Sequence, residues 1–114
     1  MVSRPYVPDT GDIVWLEFDP QTGHEQAGHR PALVLSPQAY NIKTNLMVCC
    51  PLSTKIKGHP FEVPIHIADQ PGVVLTDQVK SLDWKNRNAK KKGIAPEPVL
   101  IEVRAKIKAL LRIK

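Results

Sequence analysis

Eleven prolines in 114 residues cut this chain into apolar runs too short for long helices. Pro8, Pro20, Pro31, Pro37, Pro51, Pro60, Pro71 and Pro96 fall between those runs. Proline lacks a backbone donor and clashes with the preceding helical turn, so it is kept from helix interiors and from the middle of central strands. The pattern predicts short strands at Ile13–Phe18, Ala32–Leu35, Leu46–Cys50, Glu62–Ile67 and Val73–Leu75, with Gln78–Leu82 as a continuation. In the first of them Ile13 and Trp15 alternate with Val14, Leu16 and Phe18. Both faces are therefore apolar, as in a strand buried on two sides, and Trp15 reads as a core residue.

The period changes near the C-terminus. Leu100, Val103, Ile107, Leu110 and Leu111 recur at helical spacing, with Glu102, Arg104, Lys106, Lys108 and Arg112 off that stripe. Pro96 suits a first helical position, Glu97 the positive helix end, and the basic residues near Lys114 the other end. The expected fold is mainly β: one domain over residues 1–114, with a barrel-like sheet closed by a single C-terminal helix. No internal repeat or low-complexity tract interrupts it.

Lys and Arg number 16 against 11 Asp and Glu, for a net charge of +5. The excess suits a polyanionic partner, and it is equally ordinary for a basic soluble protein. The start, Met1-Val2-Ser3-Arg4-Pro5, has no apolar stretch behind it, and no apolar run approaches the ~20 residues a membrane span needs. The expectation is a cytoplasmic protein. Cys49 and Cys50 are adjacent, so on a strand they point to opposite faces and read as free packing thiols.

Chemistry concentrates between the first two strands, in Asp19-Pro20-Gln21-Thr22-Gly23-His24-Glu25-Gln26-Ala27-Gly28-His29-Arg30-Pro31. A carboxylate, an amide, two imidazoles and a guanidinium sit beside glycines that allow close backbone approach to a ligand. Acid, base and anion-binding groups are thus all at hand, a mixture suited to catalysis on a phosphate. Arg30 leads, because its planar fork holds two phosphate oxygens at once and stays charged at any working pH. An ion pair with Glu25 or Asp19 is the plainer alternative. Glu25 can serve as general base or orient Arg30. Gln26 and His29 can read a base edge or simply hold the loop. His24 and His29 lack companions at the spacing of a structural metal site, so no metal and no other cofactor is expected.

Gly11-Asp12-Ile13-Val14-Trp15, the loop ending Gly23-His24-Glu25-Gln26-Ala27-Gly28-His29-Arg30-Pro31-Ala32, Lys57-Gly58-His59-Pro60-Phe61-Glu62-Val63 and Asp77-Gln78-Val79-Lys80-Ser81 follow one another in order along nearly the whole chain. Together they resemble the MazF/PemK toxins of bacterial toxin–antitoxin pairs. The resemblance implies an SH3-like small barrel and a ribosome-independent endoribonuclease that cuts single-stranded RNA without metal. It also implies a 2′,3′-cyclic phosphate and a 5′-hydroxyl as products, a homodimer, and a labile MazE-like antitoxin with an acidic tail. ACA-like cleavage sites are the corresponding guess.

By the same resemblance the arginine of His29-Arg30-Pro31 is catalytic. The threonine that MazF-like toxins carry after their third strand falls on Ser53, a mild departure, with Thr54 as the alternative hydroxyl. The PemK branch has Arg-x-Asp where this chain has Leu75-Thr76-Asp77, which favours the MazF arrangement. Asp77, Gln78 and Lys80 then shape the substrate groove, with Lys55 and Lys57 flanking the second loop. Arg87 and Lys90–Lys92 form a basic cluster before the helix, either on the RNA path or merely solvated. Phe18, Tyr40, Phe61 and Trp84 are the rings available to stack bases. Two other readings remain open: a CcdB-like gyrase-binding toxin, and an RNA-binding module whose catalysis has been lost at Ser53.

Overall fold

The computed structural model describes residues 5–17 and 29–114. Among them run β1 (Asp12–Glu17), β2 (His29–Val34), α1 (Gln38–Thr44), β3 (Leu46–Ser53), β4 (Glu62–Ile67), β5 (Gln70–Leu75), a 3₁₀ turn (Thr76–Gln78), β6 (Lys80–Asp83), β7 (Lys90–Ile94) and α2 (Glu97–Leu111). The strands form one antiparallel sheet in the order β4-β5-β3-β2-β1-β7, with β6 also paired to β3. β3 is its spine. One edge carries β2; the other carries β6 against Leu46–Cys49 and then β5 against Leu52 and Ser53. The mainly β body with a C-terminal helix is the expected fold class, with the sheet curled into a half-barrel.

Alternation along β1, β2 and β3 divides the core in two, because neighbouring side chains point to opposite faces of a sheet. Ile13, Leu33, Cys50 and Leu52 face one way, onto Val63, Ile65 and Val74 of the curled sheet and Leu100 and Val103 of α2. Val14, Leu16, Ala32, Val34, Met47 and Cys49 face the other way, covered by Trp84, Tyr6 and Val7. The two cysteines thus lie on opposite faces, and both are free and buried. Trp15 belongs to neither cluster. It is only half-buried, which corrects its reading as a core residue.

Several boundaries depart from the sequence reading. Pro31, Pro51 and Pro71 stand inside strands rather than between them. Phe18 lies outside the described residues. Gln78–Leu82 does not continue β5; the 3₁₀ turn separates β5 from β6. α1 carries no apolar stripe to announce it. Its single buried residue is Asn41, whose amide donates to the Pro8 and Ser36 carbonyls at 2.8 and 3.0 Å and accepts from the Ser36 hydroxyl at 2.6 Å. β7 is the basic cluster itself, an edge strand on β1. Lysines on an edge deter pairing with other chains. In α2, Pro96 is the N-cap and Glu97 the first residue. Leu100 and Val103 are buried, but Leu110 and Leu111 are exposed, so the stripe packs only over its first half. No described helix is long and apolar enough to cross a membrane.

Candidate active site

The β2–β3 ladder runs Val34↔Cys49, Leu33↔Cys50, Ala32↔Pro51 and ends there. Pro31 and Pro51 lack the donors that would carry it on. Beyond them the strand ends present Arg30 and Ser53, which line two adjoining cavities together. The first, about 360 Å³, has a floor of Leu16, Ala32, Cys49 and Leu52 and walls that include Glu17, Arg30, Ser53, Gln78, Lys80 and Arg87. Three cations and one carboxylate over an apolar floor make a cleft for an anion. The second, about 600 Å³, adds Trp15, His29, Thr54, Lys55 and Gln70.

Local bonds hold this constellation in place. The Ser53 hydroxyl accepts the Lys55 amide at 3.0 Å, which leaves its own proton to donate. The Glu17 amide donates to the Arg87 carbonyl at 2.8 Å, and the Asn88 side chain donates to the Glu17 carboxylate at 3.1 Å. Beneath the cleft, burial pushes the Cys49 thiol up to about 11 even though Lys80 and Arg87 pull it down. Burial likewise pushes Cys50 up to about 12, helped by Cys49 and Asp77 and opposed by Lys80. Both sulfurs are therefore protonated packing groups at neutral pH, not nucleophiles.

Gly72 sets the β5 side of the cleft. A Cβ there would lie 2.6 Å from Ile67 Cδ1 and 2.8 Å from the Ser53 carbonyl oxygen, so only glycine permits β5 to approach β3 this closely. The loop after Ser53 is tied at its far end by Glu62. That buried carboxylate accepts the Gly58 amide at 2.8 Å and the Lys57 amide at 3.1 Å, with His59 Nε2 3.6 Å away. Burial raises its pKa, but the two amides, His59 and the Lys57 charge outweigh that and leave it below the usual carboxylate value.

Of the residues singled out in the sequence, Arg30, Ser53, Gln78 and Lys80 share the first cavity, and Arg30, Ser53, His29, Thr54 and Lys55 share the second. Lys57 and Asp77 line neither. Lys57 gives its backbone amide to Glu62 while its side chain stays exposed, and exposed Asp77 sits on the 3₁₀ turn near the Cys50 thiol. Glu25 and Gln26 lie outside the described residues. Glu17, Trp15 and Gln70 join the walls without having been singled out for the site. The alternating signal of β1 marks Trp15 for the core, and nothing in sequence marks a carboxylate at a strand end. Of the stacking rings, Trp84 is buried, with its indole N–H donated to the Asn41 carbonyl at 3.0 Å. Among the described residues no three of His, Cys, Asp and Glu gather as a metal site would require.

A curled sheet thus presents an arginine and a hydroxyl in a basic cleft of a shape and charge suited to an anion. Residues 9–111 match the model of the PemK-like, MazF-like toxins of type II toxin–antitoxin systems. The endoribonuclease toxin MazF of Escherichia coli K12 is 54% identical over 112 residues, covering 97% of this chain and 99% of that protein. The endoribonuclease toxin ChpB of the same organism is 40% identical over 111 residues, covering 90% and 93%. A crystal structure of a MazE–MazF complex from Deinococcus radiodurans superposes with a TM-score of 0.87 at 54% identity, over 96% of this chain and 100% of that one. The chain belongs to the PemK/MazF toxin family.

Proposed function

We propose that this chain is a metal-independent, ribosome-independent endoribonuclease toxin that cuts single-stranded RNA and is neutralised by a MazE-like antitoxin. The observation that carries the reading is the joint placement of Arg30 and Ser53 on the walls of both cavities, beside Lys80 and Arg87. Extensive identity to endoribonucleases named MazF and ChpB supports it, as does likeness to a MazF bound to MazE.

RNA needs no external nucleophile, because its 2′-hydroxyl already lies next to the scissile phosphate. Holding that oxygen in line supplies part of the acceleration. In this reading Arg30 grips the phosphate, and Ser53, or Thr54 in its place, donates to a non-bridging oxygen. Lys80 and Arg87 stabilise the charge that builds on the phosphorane. Fixed donors above an apolar floor act with little competing water, which is where such stabilisation is strongest. Glu25 takes the 2′-proton; Glu17 is the described carboxylate that shares the cleft with Arg30. The bond from phosphorus to the 5′-oxygen breaks as the 2′-oxygen bonds, and the departing oxygen takes a proton from water, giving a 2′,3′-cyclic phosphate and a 5′-hydroxyl. Gln26, His29, Lys55, Lys57, Asp77 and Gln78 complete the RNA-contacting set.

The protein works in the cytoplasm as a homodimer, a reading supported by the apolar side chains that α2 leaves exposed at Ile101, Leu110 and Leu111. The deciding experiment incubates the purified protein with a long unstructured RNA in excess chelator and maps the ends. Discrete cuts ending in cyclic phosphate, absent with Arg30→Ala, are expected. Intact RNA, or near-full activity in Arg30→Ala, would overturn the reading.

A further inference from the structure

β1 and β7 pair as Asp12↔Ile94, Ile13↔Gly93, Val14↔Lys91 and Trp15↔Lys90, with a register shift between Ile13 and Val14. Lys92 is the extra residue, and a bulge of this kind re-aims the side chain it carries. The Lys92 ammonium sits over the Trp15 ring, 5.6 Å from its centroid. The His29 ring meets the same indole edge-on at 6.4 Å and 89°. Among the described residues the enclosed Trp15 Nε1 has no hydrogen-bond partner. A large ring kept half-open with an unmet donor is poorly explained by packing alone.

Trp15 and His29 also bridge two spaces. They line the cavity that holds Arg30 and Ser53, and with Lys90, Lys91 and Lys92 they line a shallow depression of about 460 Å³ next to it. Lys91 is engaged with buried Asp12 at 3.6 Å, which leaves Lys90 and Lys92 as the charges facing this shelf. An aromatic platform flanked by cations is the general means of holding a single-stranded nucleotide: the ring takes the base, the ammonium groups the phosphates.

We infer that Trp15, His29, Lys90 and Lys92 form a subsite for an RNA nucleotide flanking the one that is cut. The inference rests on the ribonuclease reading and extends it. Continuity favours RNA over an acidic protein segment, since a strand leaving the Arg30–Ser53 cavity past His29 meets this shelf while still covalently joined to the scissile phosphate.

The test compares two RNAs: the shortest one that the wild type cuts, and the same core lengthened at both ends. Lys90→Ala/Lys92→Ala should raise KM several-fold on the long RNA with kcat unchanged. It should flatten the salt dependence of long-RNA binding by about two charges and leave the short RNA unaffected. In ¹H–¹⁵N spectra, long RNA made uncleavable by a 2′-deoxy at the scissile position should move the Trp15 indole resonance further than short RNA does, and Lys90→Ala/Lys92→Ala should remove that difference. The Trp84 indole, bonded to Asn41, is the internal reference.

Equal loss on both RNAs, or none on the long one, overturns the subsite. So does a Trp15 resonance that answers only to an acidic peptide, or only to dilution of the protein, which would mark a protein partner or a second copy. Wild-type protein that cuts neither RNA defeats the ribonuclease reading instead, and the titration with uncleaved RNA still decides the shelf.

Discussion

Ser53 and Thr54 differ in where their hydroxyls sit. Half-buried Ser53 reaches both cavities, and exposed Thr54 only the second. Ser53→Ala should therefore cost about 10²-fold in kcat, the scale of one lost oxyanion donor, and Thr54→Ala only a few-fold, as single-turnover cleavage will read. The two carboxylates separate in the same assay. Glu25→Gln should lower kcat by the ~10²–10⁴-fold of a lost general base, and Glu17→Gln by much less. The cysteines should resist alkylation in the native protein at pH 8 and react only at the unfolding rate, given thiols raised to about 11 and about 12. Glu62 gives a pH dependence of known sign. Its folded pKa lies below the usual carboxylate value, so its contribution is complete above the unfolded value of about 4.3 and fades as pH falls through the folded one. Urea midpoints of the wild type should drop below about pH 4.3, and those of Glu62→Gln should stay flatter across that window.

At the scale of the element, β5 and β3 meet through one missing side chain. Gly72→Ala places a methyl against Ile67 and the Ser53 carbonyl, and overpacking of this kind costs about 1–3 kcal/mol. Denaturation should show that loss, and cleavage should fall further than stability alone explains, because the strand displaced carries Ser53. Strands with an alternating or doubly apolar pattern were legible in sequence: Ile13 through Glu17, Leu46 through Cys50, Glu62 through Ile67 and the start of α2 all form where periodicity put them. α1 was not, because the residue it buries is Asn41, and a polar anchor leaves no period. β7 was not, because an edge strand of lysines carries the composition of a solvated loop. The proline intervals misled at Pro31 and Pro51 for an instructive reason: both sit where a ladder stops, within the strands, and the stop is what opens the cleft. The motif singled out Arg30 and Ser53, and the structure brings them to the same two cavities; the position of Trp15 against Lys92 had no signal, since it depends on a bulge that no local pattern encodes.

Across the whole molecule, a net charge of +5 and the cations of the cleft predict RNA binding that weakens steeply with salt. The exposed end of α2 predicts a concentration-dependent assembly: sedimentation equilibrium should show a dimer, and Leu110→Lys with Leu111→Lys should shift it toward monomer without unfolding the chain. The two-sided burial of β1, β2 and β3 has a further consequence, for turnover. A protease that threads extended chain finds both faces of these central strands covered, so it must wait for global unfolding before it can digest them. A disordered partner of the kind the proposed function invokes would offer no such barrier. If synthesis of both stopped, the packing of these three strands would set how long this chain outlasts such a partner.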